Sequence, residues 1–372
     1  MPRILFLASE VESTAPAKFL TTIVPELRRE FTLAAIDLRG RASSAVLQTL
    51  ADLEVPVWSA PVNGWADIRG LREVRRCVKE FEPDVIHTLG GRAAVVGGLL
   101  TLPRVGIAST VRWVVSGADR AAVGSGWLVR RLCRRAVCLM PTAAEAERYR
   151  AAGITPQASI VVSPAVAVAP PAPNASAFRA EHGLPPEARL IFAAGRFDSV
   201  SSLKSAVWAF DVVKYVASDI CLILVGDGPE RERLARFAEA LGFDDHRVRF
   251  LGRRDDLPAL LNLAELVWVT HEQGGASVAL EAMAAGKPVI AQRTSDLAEI
   301  VVDGVTGTLV TLGDKVQIAS AANLLLENPS LAQAYGEAGR VRAAERFSAK
   351  LPAKRVALIY HGIACNASDV VE

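Results

Sequence analysis

Cysteine, long apolar runs and charge of one sign are all scarce in this chain, and each scarcity removes a class of protein. Five cysteines (Cys77, Cys133, Cys138, Cys221 and Cys365) are scattered over 372 residues. Their number is odd and their spacing is not that of metal ligands, so buried thiols in a reducing compartment are expected, not a disulfide framework or a zinc module. Although 51% of residues are apolar, the longest uninterrupted runs, such as 93–100, fall well short of the roughly 18 residues needed to span a bilayer. The opening Met1-Pro2-Arg3-Ile4-Leu5-Phe6-Leu7 enters a strand pattern at once and lacks the longer apolar region and cleavage site of a secretory leader. The expected location is cytoplasmic. A net charge of +2 is far from the basic bias of a nucleic-acid binder. No motif of metal ligands and no serine or cysteine nucleophile with a partnering base is evident, so neither a metal nor another cofactor is expected.

What is present is alternation. Strand-like apolar runs at 4–8, 32–37, 55–58, 84–87, 106–111 and 137–141 are separated by helical patterns, and a second series follows at 190–194, 220–225, 248–251, 266–270, 289–291 and 308–310. Such alternation implies βαβ units and parallel sheets. Between the two series the texture changes to Ala169-Pro170-Pro171-Ala172-Pro173-Asn174, a proline density that reads as a linker. At this length two domains are expected: 1–168, a linker over 169–185, 186–350, and a tail over 351–372 that crosses back to the first domain. The fold class is α/β, two Rossmann-like doubly wound domains facing across a cleft. Ligands of open α/β sheets bind beyond the C-terminal ends of the strands, so the chemistry should lie in the loops that follow them.

Charge is uneven along the chain. Residues 1–170 hold 21 Lys and Arg against 15 Asp and Glu, whereas 171–372 hold 21 against 25. The basic first half would suit an anionic acceptor or a membrane surface. Within it, Trp127-Leu128-Val129-Arg130-Arg131-Leu132-Cys133-Arg134-Arg135 sets apolar and basic residues on opposite faces of a helix. Such a helix can lie on anionic lipid at the inner face of a membrane, or be an ordinary solvated face.

The most informative stretch is 272–310. It opens Glu272-Gln273-Gly274-Gly275-Ala276 and continues through Glu281 to Gly286, Pro288 and a buried strand. A helix start behind two glycines offers free N–H groups and the positive end of the helix dipole to an anion. Glu281, further along that helix, would accept hydrogen bonds from ribose hydroxyls. Arg196, after a strand and Gly195, can point a guanidinium at a diphosphate. Gly226-Asp227-Gly228-Pro229 is a strand-to-helix turn.

Four ordered motifs, Ala194-Gly195-Arg196, Leu224 to Glu230, Arg249-Phe250-Leu251-Gly252-Arg253 and the block over 281–310, resemble the retaining GT-B glycosyltransferases, glycosyltransferase family 4. The likeness covers nearly the whole chain and is strongest over 186–350. It implies a metal-independent transferase that moves a hexose-like sugar, with retention, from a UDP- or GDP-linked donor to a hydroxyl acceptor such as a sugar, lipid-linked sugar or glycan. By the same resemblance Arg196 stabilises the departing diphosphate, Gly195, Gly226, Gly274, Gly275 and Ala276 shape the donor pocket, Glu281 holds the ribose, and the backbone near Arg253 reads the base.

Several positions depart from the family pattern. The glutamate expected to meet the transferred sugar is Gln273, with Glu272 one residue out of register. A lysine expected five residues after Arg196 is Ser201, the nearest lysine being Lys204. The cleft histidine is Arg112, after a strand expected over 106–111, and the usual Gly-Gly pair of the first loop gives way to Ser13 and Thr14, which would cap the first helix. His87 ends a strand, where it would face the acceptor or be a hydrogen-bonded structural residue. His271 is expected as an ordinary strand-end residue, contact with the sugar being the less favoured alternative. These departures keep open a noncatalytic GT-B protein that still binds nucleotide; a sugar-nucleotide epimerase on the same fold is the remaining alternative.

Overall fold

The computed structural model describes residues 1–8, 15–40, 44–63, 67–101, 112–116, 126–198, 202–243 and 247–364. The chain forms two compact units, Met1–Ala165 with Ala349–Glu372, and Val166–Ser348. Each is a parallel sheet covered on both faces by helices.

The first sheet contains β1 (Arg3–Ala8), β2 (Thr32–Asp37), β3 (Val57–Ser59), β4 (Val85–Leu89), β5 (Arg112–Ser116), β6 (Val137–Met140) and β7 (Ala158–Val161), in the order β3-β2-β1-β4-β5-β6-β7. The second contains β8 (Arg189–Ala194), β9 (Ile220–Val225), β10 (Val248–Gly252), β11 (Ala264–Val269), β12 (Val289–Gln292) and β13 (Gly307–Val310), in the order β10-β9-β8-β11-β12-β13. In each sheet the order reverses beside the unit's first strand, the position where doubly wound sheets open a ligand crevice.

The strands read as continuous apolar runs because both faces are buried. In β8, Leu190, Phe192 and Ala194 enter one core while Ile191 and Ala193 enter the other. All six residues of β9, Ile-Cys-Leu-Ile-Leu-Val, are buried. Parallel strands so enclosed need helices on both sides, and the helix Leu203–Val213 supplies Ala206, Val207, Ala209, Phe210 and Val213 to the second core.

Helix Lys350–Ala364 belongs to the first unit. It buries Val356, Ile359 and Tyr360 with β1 and β4 residues such as Ile4, Phe6 and Val85. The Tyr360 ring also meets Phe31 edge-on, with centroids 5.5 Å apart.

One expectation differs from what is found, and a second falls outside the described residues. The segment read as a linker over 169–185 carries the helix Ala175–Glu181, whose Phe178 sits in a core of the second unit. Its signal was Asn174, which accepts from the Ala177 N–H at 2.9 Å and starts the helix directly after the prolines. The strand expected over 106–111 falls outside the described residues; β5 begins at Arg112. Its core is Trp113-Val114-Val115, fixed by pairing with Ile86, His87 and Thr88 and by a 3.0 Å bond from Trp113 Nε1 to Thr88 Oγ1.

Candidate functional site

The loop after β8 is held by backbone on both sides of Arg196. The Gly195 N–H donates to Val225 O at 3.0 Å, the Phe197 N–H to Asp227 O at 3.0 Å, and the Glu230 N–H to Phe197 O at 2.9 Å. Phe197 is buried and packs its ring edge-on against Phe250. This contact requires glycine across the turn. A Cβ at Gly226, whose φ is +141°, would lie 1.8 Å from Gly195 O, and one at Gly228 would lie 2.4 Å from Phe197 O. Gly226, expected to shape the nucleotide pocket, is therefore packed on the backbone of the Arg196 loop and acts by fixing it.

With its main chain so anchored, Arg196 projects outward. Its side chain is 70% exposed, and its Nε lies 3.6 Å from Asp198 Oδ2. A solvated pair of this kind contributes little to stability, so the guanidinium can exchange its partner for a phosphate at small cost.

The second loop follows β11, which pairs with β8 through Trp268 and Ala193. It therefore leaves the sheet at the same C-terminal edge as the Arg196 loop. Thr270 and His271 are buried, and Glu272, Gln273 and Gly274 are exposed. Gly274 and Gly275 both have left-handed φ, +79° and +82°. Space around a Gly274 Cβ is open, whereas a Gly275 Cβ would lie 2.8 Å from Val269 Cγ1 and 3.0 Å from His271 Nδ1. Gly275 is the N-cap of helix Ala276–Ala284 and makes no side-chain cap bond. The first N–H groups of this helix, beginning at Ala276, and its dipole are thus offered to an anion. Glu281 lies in the same helix with only 8% exposure.

The two loops are joined directly: Ser202 Oγ donates to Glu272 Oε1 at 2.7 Å. Sequence reasoning missed this bond because nothing local links residues 70 apart. It missed the Asp198 partner of Arg196 too, although an acid two residues after an arginine is visible in the sequence.

Arg253 is exposed beyond Gly252, and neighbouring Arg254 is held by Asp256 through two 2.8 Å bonds. Lys204 stacks on an aromatic ring. Its Nζ sits 4.6 Å from the centre of the Phe237 ring, beside a pocket of about 320 Å³ that Arg233 and Lys315 also line. Phe197 and Asp198 of the Arg196 loop line the same pocket. Ser201 lies outside the described residues.

In the first unit, His87 is fully buried. Its Nδ1 is 2.5 Å from Tyr360 Oη and its Nε2 2.8 Å from Ser116 Oγ. Burial pushes its pKa down to about 3 and pushes the Tyr360 phenol well up. His87 is a neutral structural clamp between the sheet and helix Lys350–Ala364, and does not face an acceptor. Arg112 opens β5 opposite Val85, at the edge away from the strands' C-terminal ends, which corrects its expected place after a strand. Its side chain lies outside the described residues, as do Ser13 and Thr14. Helix Gly126–Cys133 carries exposed Arg130 and Arg131. Among the described residues no helix is long and apolar enough to cross a membrane, and no group of His, Cys, Asp and Glu could hold a metal ion.

Residues 174–342 match the family model for glycosyl transferases group 1. A solved structure of Anabaena Alr3699/HepE in complex with UDP-glucose superposes with a TM-score of 0.82 and 21% identity, covering 97% of this chain and 100% of that one. The fold is that of the GT-B glycosyltransferases. Among curated relatives, N-acetyl-alpha-D-glucosaminyl L-malate synthase of Bacillus anthracis is 32% identical over 185 residues, 49% of this chain and 48% of its own. The lipopolysaccharide core biosynthesis glycosyltransferase LpsD of Rhizobium meliloti is 28% identical over 279 residues, 74% and 75% of the two chains. The chain thus spans about half the length of the first of these relatives and three quarters of the second. The GT-B resemblance and the matched segment take in the Arg196 loop, Gly275 and Glu281.

Proposed function

We propose that this protein is a glycosyltransferase that moves a hexose-like sugar from a nucleoside diphosphate sugar, UDP- or GDP-linked, to a hydroxyl acceptor with retention and without a metal ion. One observation carries the reading: Arg196 and the Gly275-capped helix N-terminus leave one edge of the second sheet, inside the segment matching glycosyl transferases group 1, with buried Glu281 in the same helix. Phosphate oxygens would receive the helix N–H groups and the Arg196 guanidinium, and Glu281 would accept from the ribose hydroxyls.

In transfer, the bond between the anomeric carbon and the diphosphate oxygen breaks as the acceptor oxygen bonds to that carbon, and the acceptor's proton passes to the departing phosphate. Stabilising negative charge on that leaving group is the work assigned to Arg196 and the helix terminus. Gln273 would hydrogen-bond a sugar hydroxyl while adding no charge. The UDP-glucose held by Alr3699/HepE supports a nucleotide-sugar donor. The mannosyl and lipopolysaccharide names among the relatives support a lipid-linked or glycan acceptor. Acceptor choice is assigned to the first unit, whose exposed Arg130 and Arg131 would serve peripheral contact with an anionic membrane on the cytoplasmic side.

The test is turnover of a UDP-, GDP- and ADP-sugar panel, with the anomeric configuration of the product read by NMR and EDTA added in parallel. Transfer abolished by Arg196→Ala and insensitive to EDTA supports the reading. Nucleotide binding without turnover of any donor would favour a noncatalytic nucleotide-binding protein.

A further inference from the structure

Beneath the anion-binding turn lies a polar group with no assigned role. His271 is 92% buried at the end of β11, and its Nδ1 has no hydrogen-bond partner. The ring packs against the N-cap of helix Ala276–Ala284, since a Cβ on Gly275 would fall 3.0 Å from both Cγ and Nδ1. A buried polar atom without a partner is costly, and it lies where a diphosphate would bring negative charge.

Resting on the nucleotide-sugar reading, we propose that His271 is a proton-linked positioning residue for the diphosphate: neutral in the free protein, it takes one proton from solvent when the diphosphate settles on the turn over Gly274 and Gly275. The one bond formed is the second imidazole N–H, its proton coming from a solvent or buffer acid that is left as its conjugate base. The imidazolium, a donor at both nitrogens, then supplies positive charge under the turn.

The electrostatics of the free protein fit. Burial lowers the His271 pKa to about 4, with Asp198 acting the other way. The charged groups on the surrounding elements are Asp198 beside Arg196, Glu272 bonded to Ser202, Glu281 on the following helix, and Arg293 after β12, bonded to Asp303. One negative charge about 5 Å away, at an effective dielectric near 20, raises a pKa by roughly 2 units. A diphosphate carries more than one such charge, enough to bring this histidine into the neutral range.

Calorimetric titration with UDP, run at about pH 8 in two buffers of different ionisation heat, reads the proton directly, since a phosphate with a second pKa of about 6 is already ionised there. The proposal expects roughly 0.5–1 proton taken up per UDP by the wild type and close to none by His271→Gln, with UDP affinity falling about tenfold less between pH 6.5 and 8.5 in the variant than in the wild type. Binding by the wild type without proton uptake, or uptake unchanged in His271→Gln, overturns it. If His271→Gln does not fold, the His271 ring resonances of the wild type decide: a move to the imidazolium position on adding UDP supports the proposal, and no move overturns it. Absence of any UDP binding would instead overturn the functional reading.

Discussion

Ser202 and Glu272, 70 residues apart, share a 2.7 Å hydrogen bond that ties the loop after β8 to the loop after β11. The first loop carries Arg196 and the second carries Gln273 and the glycine turn, so one exposed bond links the two loops that the proposed function assigns to the donor. Ser202 takes a left-handed conformation, φ +49°, which is strained for a residue with a side chain; the bond to Glu272 compensates part of that strain.

Breaking this tie should affect donor binding more than stability. Ser202→Ala, Glu272→Ala and the double variant should each raise the donor KM by a similar factor, because the second substitution finds no bond left to remove. Urea melts should show a loss below about 1 kcal/mol for each, as for an exposed hydrogen bond. Independent, additive effects on KM would contradict the coupling.

Gly226 should be intolerant of any side chain. A Cβ there would meet Gly195 O at 1.8 Å at φ +141°, so Gly226→Ala must displace the Arg196 loop and should cost about 3 kcal/mol or more. Gly313→Ala, also at positive φ but with nothing within 4 Å, is the control and should cost only about 1–2 kcal/mol. Equal losses in urea denaturation would show that the close approach does not matter.

Lys204 and Arg196 should separate cleanly. Because Lys204 Nζ sits over Phe237, Lys204→Ala should leave nucleotide Kd within about twofold and lower stability by no more than about 1 kcal/mol. A tenfold rise in Kd for Lys204→Ala by calorimetry would place its ammonium at the phosphates.

Stability should fall as the solution is acidified below the ordinary histidine range. His87 and His271 have folded pKa values of about 3 and about 4, below the unfolded value near 6.5. The unfolded chain therefore binds more protons, and stability is full above about pH 6.5 and drops between there and pH 4 by about 1.4 kcal/mol per pH unit for each histidine. Urea melts at a series of pH values should show this slope, and a flat profile between pH 7 and 5 would contradict the burial of both rings. Tyr360→Phe, which leaves His87 Nδ1 without its partner, should cost a further 1–3 kcal/mol or so.

The sheets and their repeating βαβ order were legible because buried parallel strands must be apolar throughout and short, as 190–194 and 220–225 are. Arg112 was expected after a strand but opens β5, whose register is set by pairing of Trp113, Val114 and Val115 with Ile86, His87 and Thr88, a long-range feature the local sequence does not carry. Within the site, residues positioned by local geometry were readable, namely Gly275 before its helix and Arg196 after its strand. Those whose partners come from distant segments were not. Ser202 with Glu272, Lys204 with Phe237 and His87 with Tyr360 are pairings that only the folded chain creates.

The central claim is that the second unit binds a nucleoside diphosphate through Arg196 and Glu281. Calorimetric titration of the wild type, Arg196→Ala and Glu281→Ala with UDP and GDP measures it. Binding of at least one nucleotide by the wild type, weakened at least about tenfold, or 1.4 kcal/mol, in both folded variants is the predicted result. No binding by the wild type, or affinity unchanged in either variant, would contradict the account.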